Sequence, residues 1–527
     1  MPVDIQRSQI DPVRAPSGAK VIPLIIIFGL LFTGCYTLRT SEGGGQTVFH
    51  PPRQVSPSSV ALSGGYEIEA VATGLTFPTG VAFDDAGVPY VVESGYSYGE
   101  VWTIPRLLRI ESDGTTRVIA SGEKNGPWTG VAFYQGDFYV AEGGELLGGR
   151  LLRITPDGTI HPLIDHLPST GDHHTNGPVI GPDGAIYFAI GTYTNAGIVG
   201  EDNAHFGWLL RNPVGHDIPC KDVTLKGENY TSRDPRKDPR HPGADQPVVT
   251  GAFSPFGTPT QAGQVISGQV PCSGAIFRLG KEGEPPELVA WGFRNPFGLA
   301  LSPAGELYVT DNAYDDRGSR PVHGAGDLLW KITPGTWYGW PDYHGARPLN
   351  TGDHYLPPGK ERPRLLLSEP PNDPPKPAAV LEVHSSSNGF DFSRNTDFGY
   401  IGEAFIAQFG DQAPATGKVF APVGFKVVRV DPGTGIINDF AVNRGPTNGP
   451  ASRIGGGGLE RPVAARFNPK GTALYVVDFG VLTMGEKMKK PPGASEPMAK
   501  EQPYQGTGVL WRIVRKIPSP PMKGASR

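Results

Sequence analysis

One phrase recurs six times along this chain, and no other feature constrains the fold as strongly. Its first copy reads Pro78-Thr79-Gly80-Val81-Ala82-Phe83, turns at Asp85-Ala86-Gly87, and continues through Tyr90-Val91-Val92-Glu93 to Leu107-Leu108-Arg109-Ile110. The second runs from Pro127-Trp128-Thr129-Gly130 through Phe138–Glu142 to Arg150–Ile154. It starts about 50 residues after the first, a spacing that fits one propeller blade. The third opens at Gly177-Pro178-Val179-Ile180, passes Ile186–Ala189 and ends, delayed, at Gly274–Leu279. The fourth spans Asn295 to Ile332, the weak fifth Gly389 to Val430, and the sixth Arg461 to Ile513. Each copy alternates β-branched and aromatic runs with glycine turns, the chemistry of short antiparallel strands. One such sheet cannot bury both faces, whereas six stacked radially can. The expected fold is all-β: a six-bladed β-propeller over 65–516 with loop insertions, one domain despite a length that would allow several.

Composition agrees with this reading. The 527 residues include Gly 73 and Pro 55, interleaved with apolar runs as in a turn-rich β protein. A net charge of −5 leaves no basic face for nucleic acid. Residues 36–64 are polar with little periodicity and read as a flexible linker, and 517–527 as a disordered tail. Three stretches interrupt the repeat. Residues 202–272 lie within the third copy, 335–380 separate the fourth and fifth, and 483–507 split the sixth. The last holds Lys487, Lys489, Lys490 and Lys500, a pattern expected of a solvated loop.

Ahead of the linker, Val21–Phe32 is nearly all apolar and ends in Phe32-Thr33-Gly34-Cys35. The run suits a secretory signal better than a full membrane span. Its ending resembles a bacterial lipoprotein signal with Cys35 as the lipidated residue; an uncleaved anchor through Leu38 and plain secretion are the other readings. All three put the protein in the cell envelope, outside the cytoplasm, with membrane association through the N-terminus in the first two. With Cys35 set aside, Cys220 and Cys272 can pair as a disulfide in an oxidising compartment.

Polar residues stand at three places where blades begin: Asp172-His173-His174, Phe293-Arg294-Asn295, and the run from Asp311 to Asp327. A histidine at a channel mouth can act as a base or a metal ligand. An arginine there can grip an anionic or quinone oxygen. Asp311, Asp315, Asp316 and Asp327 can offer oxygen to calcium, although not at EF-hand spacing. The sequence shows no zinc spacing, P-loop, nucleophile elbow or dinucleotide fingerprint.

Four stretches, HHTNGPVIGPDGAIYF (173–188), WGFRNPFGLALSPAGELYVTDN (291–312), YGWP (338–341) and RPVAARFNPKGTALYVVDFG (461–480), resemble the glucose/sorbosone dehydrogenase family of soluble pyrroloquinoline-quinone (PQQ) aldose dehydrogenases. The resemblance spans about residues 66–515. It implies a propeller with PQQ over the channel, a calcium ion, a sugar substrate and an electron acceptor. It also implies a histidine that takes the proton of the sugar C1 hydroxyl, His173 in ungapped register or His174 with one gap. Arg294 and Asn295 match the family's quinone-contacting pair; Arg294 would stabilise charge growing on the quinone. Lys426 and Arg461 are the candidates for its cofactor-gripping cation, Asp327 and Asp311 for its metal. Two positions depart from the family: Thr192 stands where it carries the aspartate that orients the histidine, and Leu328 where its calcium loop has glutamate. Two further readings stay open. One is a non-catalytic propeller that binds carbohydrate or a protein partner. The other is a calcium-dependent lactonase-type hydrolase using Glu93, Glu142, Asn176 and Asn295.

Overall fold

The computed structural model describes residues 43–44, 49–98, 101–234, 236–237, 246–280, 283–417, 419–487 and 499–516. Thr40–Arg527 forms one compact unit. Cys35, the apolar run before it and the tail after 516 lie outside the described residues, among which no helix is long and apolar enough to cross a membrane.

Six antiparallel sheets of four or five strands make the propeller. Blade one consists of Pro78–Phe83, Pro89–Glu93, Arg106–Ile110 and Thr116–Ser121, and blade two of Trp128–Tyr134, Asp137–Glu142, Gly149–Ile154 and Ile160–Leu167. Blades three to five begin at Thr175–Ile180, Asn295–Leu301 and Ser387–Phe392. Blade six takes three strands, Pro462–Phe467, Ala473–Asp478 and Gly508–Arg515, from the end of the chain. Its outermost strand, Tyr66–Leu75, comes from the beginning. The ring is therefore closed by main-chain hydrogen bonds between residues more than four hundred positions apart.

First strands line the central channel, and each carries a small residue where it meets its neighbour: Gly80, Gly130, Gly177, Gly298, Gly389 and Ala464. The need for small size is steric. A Cβ on Gly130 would sit 2.3 Å from the Gly177 carbonyl oxygen, and one on Gly298 would sit 2.4 Å from that of Asn388. Below this ring Arg466 crosses the channel from blade six. It donates to Leu299 O and Phe390 O at 3.1 Å each, on blades four and five.

The interruptions fold as additions to one blade each. Residues 202–272 add two short helices, Glu201–His205 and Trp208–Arg211, and two small two-stranded sheets, stapled by a Cys220–Cys272 disulfide. Residues 335–380 differ from expectation: they lie inside blade four, between its third strand Gly326–Lys331 and its outer strand Ala379–Val383. The expectation of a flexible linker over 36–64 fails for the second half of that stretch. Val60–Leu62 adds a fifth strand to blade five, and Arg53 is buried against Asp478 at 2.5 Å. Low hydrophobicity hid this segment because only Val55, Val60 and Leu62 join an apolar cluster, while ion pairing and backbone pairing hold the rest.

Gly130→Ala should lower stability by about 1–3 kcal/mol, because the added methyl forces two blades apart. Urea melts of the variant against wild type, read by tryptophan fluorescence, check this.

Candidate functional site

A carboxylate near the end of the second strand organises the start of most blades. Asp311 accepts from the backbone N–H groups of Arg294 (3.2 Å) and Asn295 (2.8 Å) and from Trp330 Nε1 (3.4 Å). Asp478 does the same for Glu460, Arg461 and Trp511 Nε1. Glu93 holds Thr76 N–H and Arg106; Glu142 holds Asn125, Trp128 Nε1 and Arg150. These turns all lie on one face of the ring, so the residues beside them converge on the channel mouth.

There a cavity of about 170 Å³ opens. Aromatic side chains, among them Tyr98, Phe206, Phe297, Phe409 and Phe479, form much of its wall. Asp172, His173, His174, Arg294, Asn295, Asp315, Arg317, Asp327 and His384 bring the chemistry. Arg294 is buried and paired. Its Nη2 meets Asp315 Oδ2 at 2.7 Å, and its Nε donates to Asn195 Oδ1 at 3.1 Å. Arg317 ties three carboxylates together: Asp315 at 3.0 Å, Asp202 at 2.7 Å, and Asp172.

Blade three breaks the carboxylate rule: Ile190 ends its second strand, and the lead-in turn is held by backbone bonds between His173 and Thr192 and between Gly191 and His174. His173 Nδ1 lies 3.1 Å from both Thr192 O and Thr192 Oγ1. The Thr192 hydroxyl gives its own proton to Thr194 O at 2.6 Å. Both atoms facing Nδ1 are therefore acceptors, so Nδ1 carries the hydrogen and Nε2 keeps its lone pair. Burial, then the charges of Arg294 and Arg317, holds the ring well below the usual histidine range, so it stays neutral. His174 lines the same cavity on different partners. It lies between Tyr96 and Tyr98, 3.7 Å from Glu145, with neither ring nitrogen hydrogen-bonded among the described residues. Burial pushes it down to about 4.

Several sequence-based assignments change. Lys426 sits on the third strand of blade five in ion pairs with Asp439 (2.9 Å) and Glu382 (3.1 Å), away from the cavity. Arg461 is buried between the rings of Phe409 and Phe425 and spends its donors on backbone carbonyls, including Gly410 O and Leu482 O. Neither lines the cavity. Asp311 is the turn clamp described above, pushed up to about 7 by burial. Asp327 lines the cavity but accepts from Ala313 N–H, Ser385 Oγ and Ser387 N–H. The two do not form one metal site, and the described residues contain no cluster of three His, Cys, Asp or Glu placed to hold a metal. The lactonase ligand set does not assemble either, since Glu93 and Glu142 are committed to their turns. Asp172, Asp315, Arg317 and His384 complete the cavity. Arg317 and His384 carried no motif, although His384 precedes the weak fifth copy as His173 and Arg294 precede the third and fourth.

No family model and no curated protein matches the chain. Solved structures do. The calcium structure of a carbohydrate-active enzyme of family AA12 from Trichoderma reesei is 16% identical, covering 88% of this chain and 98% of that one, with a TM-score of 0.50. The holo pyranose dehydrogenase PQQ domain from Coprinopsis cinerea is 14% identical, covering 88% and 98%, with a TM-score of 0.50. The chain has the propeller fold of these proteins. At such identity the likeness extends to the fold alone.

Whether this cavity suits the quinone can be read from its charges. PQQ carries three carboxylates. Among the described residues lining the cavity, Arg294 and Arg317 are the only arginine or lysine side chains, both already paired, against Asp172, Asp315, Asp327 and Glu501. Arg294 and Asn295 line the cavity, and among the described residues it offers no unpaired arginine or lysine to a carboxylate. The same lining carries Asn295, Asn312, Asn388 and Thr416, which can donate and accept hydrogen bonds.

His174 predicts a pH effect. Its folded value lies below the unfolded one, so the unfolded chain binds the extra proton between about 6.5 and 4 and stability falls as pH drops through that window. Thermal melts from pH 7 to 4 should show a shallower loss for His174→Gln than for wild type.

Proposed function

We propose that the chain binds a neutral sugar in the channel-mouth cavity, with one sugar hydroxyl donating to His173 Nε2. The observation that carries this reading is the fixed tautomer of His173, a neutral acceptor between aromatic walls. Amide and hydroxyl side chains on the same lining, including Asn312, Asn388 and Thr416, can match further sugar hydroxyls. The Cys220–Cys272 disulfide supports a site of action outside the cytoplasm. An N-terminal signal or anchor with Cys35 lipidated would keep the protein at the envelope.

A second reading, PQQ-dependent sugar oxidation with an electron acceptor, is favoured by Arg294 and Asn295 lining the same cavity as His173. In that reading the quinone would supply the hydride acceptor. Calcium would offset the surplus carboxylates, and His173 Nε2 would take the hydroxyl proton.

Calorimetric titration with a panel of aldoses tests the first reading. At least one should bind, and His173→Ala should weaken it about tenfold through loss of one hydrogen bond. Absence of binding by every aldose at tens of millimolar overturns it. Dye reduction after loading with PQQ and calcium tests the second, which fails if no holo spectrum forms.

A further inference from the structure

The neck of the channel holds a positive charge that no side chain answers. Between the first strands, beneath the channel-mouth cavity, lies a chamber of about 20 Å³. Thr79, Thr129 and Phe297 line both spaces. The other walls of the chamber are glycine, alanine and aliphatic residues, and among the described residues Arg466 is the only ionisable side chain on it. Arg466 is half-buried, and burial lowers its pKa from the usual arginine value.

The partners of Arg466 are few. Among the described residues its N–H donors have two acceptors, Leu299 O and Phe390 O, at 3.1 Å each, and it forms no ion pair. The carboxylate whose charge reaches it, Asp391, is engaged elsewhere: with Arg394 Nη1 at 2.7 Å and with the N–H groups of Phe392 (2.8 Å) and Phe467 (3.1 Å). Arg394 adds a further positive charge to the same region. The other arginines at the channel are better served. Arg294 and Arg317 each meet a carboxylate at 2.7 Å. Arg461 lacks one too, but it donates to the carbonyls of Gly43, Phe409, Gly410, Asp411 and Leu482 and lies over two aromatic rings. A charge removed from water without such compensation is costly.

The backbone around the chamber favours the same sign of ligand. Each first strand ends its sheet, so it pairs on one side and turns unpaired N–H and C=O groups to the channel. Arg466 takes two of those carbonyls. The N–H and C=O of one residue leave the same edge of a strand, so the N–H groups of Leu299 and Phe390 face the channel as well.

We propose that the chamber binds one monatomic anion, chloride being the abundant one, on the Arg466 guanidinium. Size decides the class of ligand: about 20 Å³ admits a water-sized particle, not a phosphate, sulfate or carboxylate. A water molecule fits too, but it leaves the charge unbalanced. The ion would sit among Gly80, Gly130, Gly177, Gly298, Gly389 and Ala464, one from each blade, and would hold the ring together at its centre. This inference is independent of the sugar-binding reading.

The test uses the full chain without sugar. Thermal melts in sodium chloride are compared with melts in sodium methanesulfonate, whose anion is too large for the chamber, at equal ionic strength. Chloride and bromide should each raise the wild-type midpoint by about 1–2 °C and saturate. Arg466→Met should melt at the same temperature in all three salts. Wild-type crystals soaked in sodium bromide should show an anomalous peak in contact with the Arg466 guanidinium, and Arg466→Met crystals should show none there. Equal wild-type melts in chloride and methanesulfonate overturn the inference. So does a bromide-soaked wild-type chamber that holds only water, or a peak that persists in Arg466→Met. If the variant does not fold, the two wild-type measurements decide alone.

Discussion

The structure depends on a buried carboxylate at the end of the second strand of a blade. It accepts hydrogen bonds from groups at the turn that begins the same blade, and often from an indole or guanidinium beside it. Charge-assisted bonds of this kind are short and strong when desolvated. They are expensive to leave half-made. Asp311, Asp478, Glu93 and Glu142 each fix one turn, and each fixed turn delivers its neighbouring side chains to the channel mouth. The cavity is therefore a product of the repeat. Its chemistry arises where the repeat is broken. Blade three has Ile190 in that place and leaves His173 to Thr192. Blade five has Gln408 there, and Asp327 from blade four holds its turn instead.

Breaking the rule twice leaves two histidines at the channel mouth, each with a ring nitrogen 3.6 Å from an aspartate oxygen. Around them, carboxylates and guanidiniums alternate in a chain that leaves little free charge of either sign. Such a network is pre-organised, because its partners are fixed before any ligand arrives. A polyanion would have to displace Asp315 or Asp172 from the arginines, whereas a sugar asks only for hydrogen bonds.

Much of this was legible in the sequence. The small residue of each first strand, glycine in five blades and Ala464 in the sixth, the Tyr-Val-x-Asp of the second strands in blades four and six, and the Leu-Trp of their third strands were visible because the same steric and hydrogen-bonding needs recur around the ring. His173, Arg294 and Asn295 were visible by position. The cation assignments failed for a physical reason: Lys426 and Arg461 satisfy blade-internal demands that one sequence does not distinguish from ligand contacts. Arg317 and His384 were hidden because their roles come from partners distant in the chain: Asp172 and Asp202 for Arg317, Asp315 for His384. Residues 53–62 looked like linker because their contacts lie at the other end of the sequence, in blades five and six.

The central claim is that the channel mouth is a neutral sugar site built on His173 Nε2. A crystal structure of the protein grown with a binding aldose and PQQ together tests it most directly. The account predicts a sugar hydroxyl within hydrogen-bond distance of His173 Nε2, with Arg294 still paired to Asp315. A quinone carboxylate drawing Arg294 away from Asp315, or a sugar bound with His173 Nε2 unengaged, would contradict it.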